Sequence, residues 1–113
     1  MGCAFDVHNE LGGGHQEKYY QRALARALQE KGLGFKEQVY APLFYKEQVV
    51  GKNFFDFLVD DKVVLEIKKG TRYSKKNIDQ ILGYLKINKL KLAILINFGQ
   101  NAVTHKRIIN FDS

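Results

Sequence analysis

A chain of 113 residues is one domain, residues 1–113, with room for a single hydrophobic core. Eighteen Lys and Arg against twelve Asp and Glu leave a net charge of +6, which points to an anionic partner, nucleic acid first. One cysteine excludes an internal disulfide, no Cys and His spacing matches a zinc site, and no apolar stretch nears the roughly 18 residues of a membrane span, so a reducing, cytoplasmic setting without a membrane partner is expected.

Ala4, Val7, His8 and Leu11 recur at helical spacing until Gly12-Gly13-Gly14 stops the pattern, which predicts a short first helix with His8 on its surface. His15 to Lys31 contains no Gly or Pro and is closed by Gly32 and Gly34, so it is the second helix. Its packing face carries Tyr20, Leu24, Ala27 and Leu28. Glu17 lies in the first turn beside that face, where the helix dipole alone would favour a carboxylate. Phe35 to Tyr45 has the residue types of a strand, in which Pro42 marks an edge or a bulge. A turn at Lys46-Glu47-Gln48 then leads through Val49-Val50-Gly51 into the stretch that organises the chain.

Asn53 to Lys69 holds two apolar runs separated by Asp60-Asp61-Lys62. Successive side chains of a strand point to opposite faces, and opposed residues of an antiparallel pair share one. A three-residue loop therefore pairs Phe55 with Ile67, Phe57 with Leu65 and Val59 with Val63 on a wholly apolar face. The other face pairs Phe54 with Lys68, Asp56 with Glu66 and Leu58 with Val64. A slip of one residue would mix the two faces. Opposed carboxylates repel unless something neutralises them, and a divalent cation such as Mg²⁺, which takes oxygen ligands, would do so.

Lys68 to Lys76 is a basic loop without apolar periodicity, suited to a phosphate backbone through Lys69, Arg72, Tyr73, Lys75 and Lys76. Ser74 is the expected N-cap of a helix that runs to Lys89 and buries Ile78, Ile81, Leu82 and Leu85, with Gln80 and Tyr84 along one edge of that stripe. Lys91 to Phe98 fits a strand covered on both faces, and Val103 to Phe111 fits an edge strand carrying His105, Lys106 and Arg107.

Asp56 followed after nine residues by Glu66-Ile67-Lys68 resembles the D…ExK signature of the PD-(D/E)XK nuclease superfamily. Gln80 with Tyr84 resembles the QxxxY motif of its RecB-like branch, and Gly14 to Tyr20 resembles the signature of the GxxExxY family within it. FDVHNELG, FKEQV, DFLVDDKVVLEIK, QILGYLK and AILINFG are also similar to that family, so the resemblance covers nearly the whole chain. Phe55 replaces the proline of the PD pair, and the segment before Phe5 looks shorter than in family members, as from a truncated start.

The resemblance implies an α/β fold with a mixed sheet, a restriction-endonuclease-like core of helix, antiparallel strands, crossover helix and strand. It implies Glu17, Asp56 and Glu66, with the Ile67 carbonyl, as ligands of Mg²⁺ or Mn²⁺. Lys68 would orient the attacking water or stabilise charge at phosphorus, and Gln80 and Tyr84 would position substrate. The expected function is a metal-dependent nuclease acting on DNA. The alternatives are a non-catalytic nucleic-acid-binding module or a partner-binding subunit of a repair or defence assembly. The small size leaves a homodimer open.

Overall fold

The computed structural model describes residues 2–68 and 74–111. Helices α1 (Gly2–Leu11) and α2 (Glu17–Glu30) precede strands β1 (Phe35–Tyr45), β2 (Gln48–Val59) and β3 (Val63–Lys68). Helix α3 (Lys75–Ile87) then leads to β4 (Leu92–Phe98) and β5 (Val103–Ile109). The five strands form one sheet in the order β1-β2-β3-β4-β5. Neighbours are antiparallel except β3 and β4, which are parallel and joined through α3, the crossover that a parallel pair requires. The mixed α/β architecture is the one the sequence implies. No helix among the described residues is long and apolar enough to cross a membrane.

The sheet separates two apolar layers. On one face Tyr20, Leu24 and Leu28 of α2 and Cys3, Ala4 and Val7 of α1 pack over Phe57, Leu65, Ile67 and Ile96. On the other face Ile81 and Leu85 of α3 pack over Leu58, Val64, Ala93 and Leu95. Residues from β3 and β4 enter both layers, which is why those strands lack the apolar and polar alternation of a half-exposed strand. Ser74 caps α3 as expected, its Oγ accepting from the Asn77 N–H at 3.0 Å. Pro42 lies on the edge strand β1, and the register shifts between Leu43 and Phe44 beside it.

The glycine run between α1 and α2 is held by Tyr20. Its hydroxyl donates to the Gly12 carbonyl at 2.7 Å and accepts from the His15 N–H at 3.2 Å, while its ring stacks on Phe98 at 4.3 Å. A side chain at Gly13 would collide with the Gln100 backbone, and Gly14 has φ +84. His8 is partly buried rather than a plain surface residue, its Nε2 lying 3.0 Å from the Gly99 carbonyl.

The central hairpin keeps its predicted register at Phe57↔Leu65, Leu58↔Val64 and Val59↔Val63. Its loop turns tightly because Asp60 and Asp61 both adopt left-handed backbone (φ 53 and 54), a conformation aspartate tolerates better than most residues. Beyond Phe57 the expectation fails. Phe55 joins the α3 layer instead of sharing a face with Ile67, which lies in the α1 and α2 layer. The cause is a paired irregularity in β1 and β2: Gln38 has φ 51, the Gln38 and Asp56 positions drop out of the ladder, and pairing resumes at Val39↔Phe55. Each strand therefore turns over at that point, with Phe35 and Phe57 on one side of the sheet and Val39 and Phe55 on the other.

These two kinds of support differ in size. Leu85→Ala, which empties a fully enclosed site on the α3 side, is expected to destabilise the fold by about 2–5 kcal/mol. Tyr20→Phe removes two hydrogen bonds with the ring retained and is expected to cost about 1–3 kcal/mol. Urea denaturation of both variants measures the difference.

Candidate active site

Where β2 and β3 part, two carboxylates take over from the backbone ladder. Asp56 Oδ2 accepts from the Ile67 N–H at 2.7 Å, and Glu66 Oε1 accepts from the Asp56 N–H at 3.1 Å. Asp56 is partly buried and Glu66 is 8% exposed. Val64, Glu66 and Lys68 alternate with Leu65 and Ile67 along β3, so Glu66 and Lys68 leave the sheet on the α3 side.

There Glu66 and Lys68 line a polar cleft of about 360 Å³. Its other walls are Asn53, Phe54 and Phe55 from β2, Ser74 at the N-cap of α3, and Lys76, Asn77 and Gln80 from the first turns of that helix. The open N-terminus of a helix presents backbone N–H groups and a partial positive charge, which suits an anionic ligand. Lys68 and Lys76 give the same sign.

Burial raises the Glu66 carboxyl to about 8, and its hydrogen bond to Asp56 and the charge of Asp56 act in the same direction. The Lys68 ammonium opposes them incompletely. A buried acid held protonated beside a second acid, with a cation nearby, is a pair that gains from binding another positive charge. Two carboxylates and adjoining carbonyl oxygen are donors of the hard type that Mg²⁺ or Mn²⁺ accepts, with water and phosphate filling the remaining positions. The residues present therefore fit a divalent cation.

Of the other predicted site residues, Gln80 reaches the cleft and Tyr84 stands one turn further along α3. Tyr84 packs edge-on against Phe55, with ring centroids 5.1 Å apart, and borders a larger neighbouring groove rather than the cleft. Burial pushes its phenol upward while Lys36 pulls it back, so at neutral pH it is a neutral hydrogen-bonding group. Lys75 and Lys76 lie exposed in the first turn of α3; Lys69, Arg72 and Tyr73 fall outside the described residues.

Glu17 is exposed in the first turn of α2. Among the described residues no three His, Cys, Asp or Glu side chains form a group able to hold a metal, so the predicted triad of Glu17, Asp56 and Glu66 is present as the Asp56 and Glu66 pair. Sequence reasoning missed Asn53 and Asn77 as cleft residues. Asn77 carries a readable signal, since it lies in the first turn after the Ser74 cap, three residues before Gln80. Asn53 carries none, because its direction depends on the irregularity at Gln38 and Asp56.

The family model described as the PD-(D/E)XK nuclease superfamily matches residues 1–109. Among solved structures, the protein titled SSO0001 superposes with a TM-score of 0.58 at 17% identity, covering 81% of this chain and 48% of that one. An alkaline exonuclease, LHK-Exo from Laribacter hongkongensis, superposes with a TM-score of 0.53 at 14% identity, covering 96% of this chain and 77% of that one. At these identities the likeness is one of fold, and the chain spans about half the length of the first. No curated protein matches the chain.

The raised Glu66 has a consequence for stability that needs no activity to observe. An acid with a pKa of 4.5 when unfolded and about 8 when folded favours the fold in its protonated form. That contribution is complete below 4.5 and is lost as the pH rises to about 8. Without divalent ions, the melting temperature of the wild type is expected to fall across this window more steeply than that of Glu66→Gln. Mn²⁺ should restore the wild type more at pH 8 than at pH 5; parallel pH profiles for the two proteins would contradict the assignment.

Proposed function

Because the chain belongs to the PD-(D/E)XK nuclease superfamily, we propose that it is a divalent-metal-dependent nuclease that hydrolyses phosphodiester bonds in DNA. The observation that carries this reading is the buried Glu66 carboxyl beside Asp56, opening with Lys68 and Gln80 onto one cleft. Nucleases of this superfamily generally use divalent metal ions. Such an ion, when bound, supplies a lowered pKa for water and neutralises charge on the phosphate.

The chain's own groups divide the remaining work. Asp56 and Glu66 are the acidic ligands we assign to Mg²⁺ or Mn²⁺, with the Ile67 carbonyl adding an oxygen. Glu66 gives up its proton on taking that role, so binding strengthens as the pH rises. Lys68 brings an ammonium beside the scissile phosphate and stabilises the charge that builds on its oxygens. Gln80, on the opposite wall, orients the attacking water or a phosphate oxygen by hydrogen bonding. Tyr84 acts at one remove, holding Phe55 beside Asp56 on β2. Lys75 and Lys76 hold the phosphate backbone, a role that sequence assigns also to Lys69, Arg72 and Tyr73. Gly14, Glu17 and Tyr20 support placement in the GxxExxY branch, where Glu17 would join the acidic pair when the site is loaded. A cytoplasmic setting and a homodimer that contacts both strands complete the reading.

Incubation of linear and circular DNA with the purified protein and Mg²⁺ or Mn²⁺ tests it. Cleavage is expected with either metal, to vanish in Glu66→Ala, and to fall on the order of 100-fold or more in Lys68→Ala. Cleavage that survives both substitutions would place the chemistry elsewhere. Salt-sensitive binding without cleavage in any metal would leave a non-catalytic binding module.

A further inference from the structure

The β1–β2 hairpin outgrows the sheet that carries it. β2 pairs with β3 only from Phe57 to Val59, whereas its pairing with β1 continues from Val39↔Phe55 out to Tyr45↔Gln48. Beyond the irregularity at Gln38 and Asp56 the two strands form an arm, and every residue from Leu43 to Val50 at its tip is exposed. A ribbon of two strands is marginally stable in water unless something packs on it.

The residues of the tip suit an apolar contact. Leu43, Phe44, Tyr45, Val49 and Val50 range in exposure from 38% at Leu43 to 62% at Tyr45. Lys46 and Glu47 are the only charges from Leu43 to Val50, so the tip is neutral in a chain of net charge +6 and gives a phosphate backbone no excess of positive charge. Beside the arm, a groove of about 840 Å³ separates it from α3. The near end of the groove, at Lys76 and Gln80, joins the cleft. Two turns further along α3 its far end is lined by Ile87, which is 66% exposed, and by Pro42, Leu43 and Phe44 of the arm. Gly83, one turn before Ile87, leaves open space on the helix wall, since an added Cβ there would meet nothing within 4 Å. The five tip residues and Ile87 together offer on the order of 600 Å² of apolar surface, at the upper end of what a monomer exposes in one patch and approaching the ~800 Å² that each partner gives to a standard interface.

A second copy of the chain can cover this surface through its faces but not through its edge. The free edge of β1 is a poor template for extending the sheet, because Gln38 has left-handed backbone, Pro42 has no N–H and the register shifts between Leu43 and Phe44. Tip and far groove, by contrast, adjoin within one chain, and Phe44 belongs to both. A two-fold axis beside Phe44 therefore brings each tip to the other groove at once, the reciprocal contact that a symmetric dimer requires. We propose that the chain forms a two-fold dimer in which the β1–β2 tip of each copy packs into the far end of the other's groove, against its α3 at Gly83 and Ile87. The near end, with Lys75, Lys76 and Gln80, stays open beside each cleft. The homodimer of the proposed function thereby gains a defined surface, one that is independent of whether the cleft cleaves DNA.

Sedimentation velocity of the purified protein, without metal or nucleic acid, measures the association. The wild type is expected to pass from monomer to dimer with a micromolar Kd. Val50→Glu alters the tip and Ile87→Lys the groove wall. Both positions are exposed, and a lysine suits the C-terminal end of a helix, so each variant should melt close to the wild type. Each should weaken association about ten-fold or more, because a charge is brought into the apolar centre of the contact. A mixture of the two variants separates exchange of tips from other contacts. A mixed dimer has one unaltered contact and one in which the introduced charges are opposite, so the equimolar mixture should dimerise more tightly than either variant alone. A wild type that stays monomeric, dimers indifferent to both substitutions, or no gain on mixing would overturn the proposal. So would a monomer that floats with phosphatidylcholine vesicles, since the tip would then meet a membrane. Failure of cleavage in every metal would remove the nuclease reading and leave these results standing.

Discussion

The 2.7 Å hydrogen bond from the Ile67 N–H to Asp56 Oδ2 decides how the middle of this sheet is built. In an uninterrupted hairpin that N–H would serve the backbone ladder. A carboxylate oxygen in its place makes a short, charge-assisted bond, and Glu66 returns the exchange by accepting the Asp56 N–H. The two strands are thereby tied through side chains at the point where their backbones part. The parting exposes the end of the hairpin toward α3 and makes room for a cleft between them.

The same arrangement creates an electrostatic problem that only the site resolves. A carboxyl buried beside another carboxylate keeps its proton up to about pH 8, so the protein alone holds the pair partly neutralised. Lys68 on the same strand face and the N-terminal end of α3 contribute positive potential, and the sequence between these two elements is itself basic. A group poised between neutral and charged states near physiological pH is suited to exchanging a proton for a cation. Local stability is given up at this pair, and the two apolar layers on either side of β3 and β4 supply the stability that makes this tolerable.

Much of this was legible from residue order alone. The helices, the Ser74 cap and the hairpin register from Phe57 to Leu65 follow from residue order, the crossover follows from the resemblance, and side-chain parity rightly put Glu66 and Lys68 together on the face of β3 opposite Leu65 and Ile67. Parity failed at Phe55, because it assumes an unbroken ladder and Asp56 breaks it. Gln38, opposite Asp56 at the break, has φ 51, and glutamine gives no local sign of left-handed backbone. Glu17 shows another limit: a motif names a residue without giving the path by which a separate helix delivers it. The groove beside the cleft was invisible for the same reason, since Tyr40 and Gly83 lie far apart in sequence and become neighbours of one space only when α3 crosses the sheet.

A crystal structure of the protein soaked with Mn²⁺ at pH 8, with anomalous scattering used to locate the metal, tests the central claim most directly. The account predicts a manganese peak bridging Asp56 and Glu66, with Lys68 turned toward the cleft. No peak at that position, with the Lys68 ammonium bridging both carboxylates instead, would contradict it.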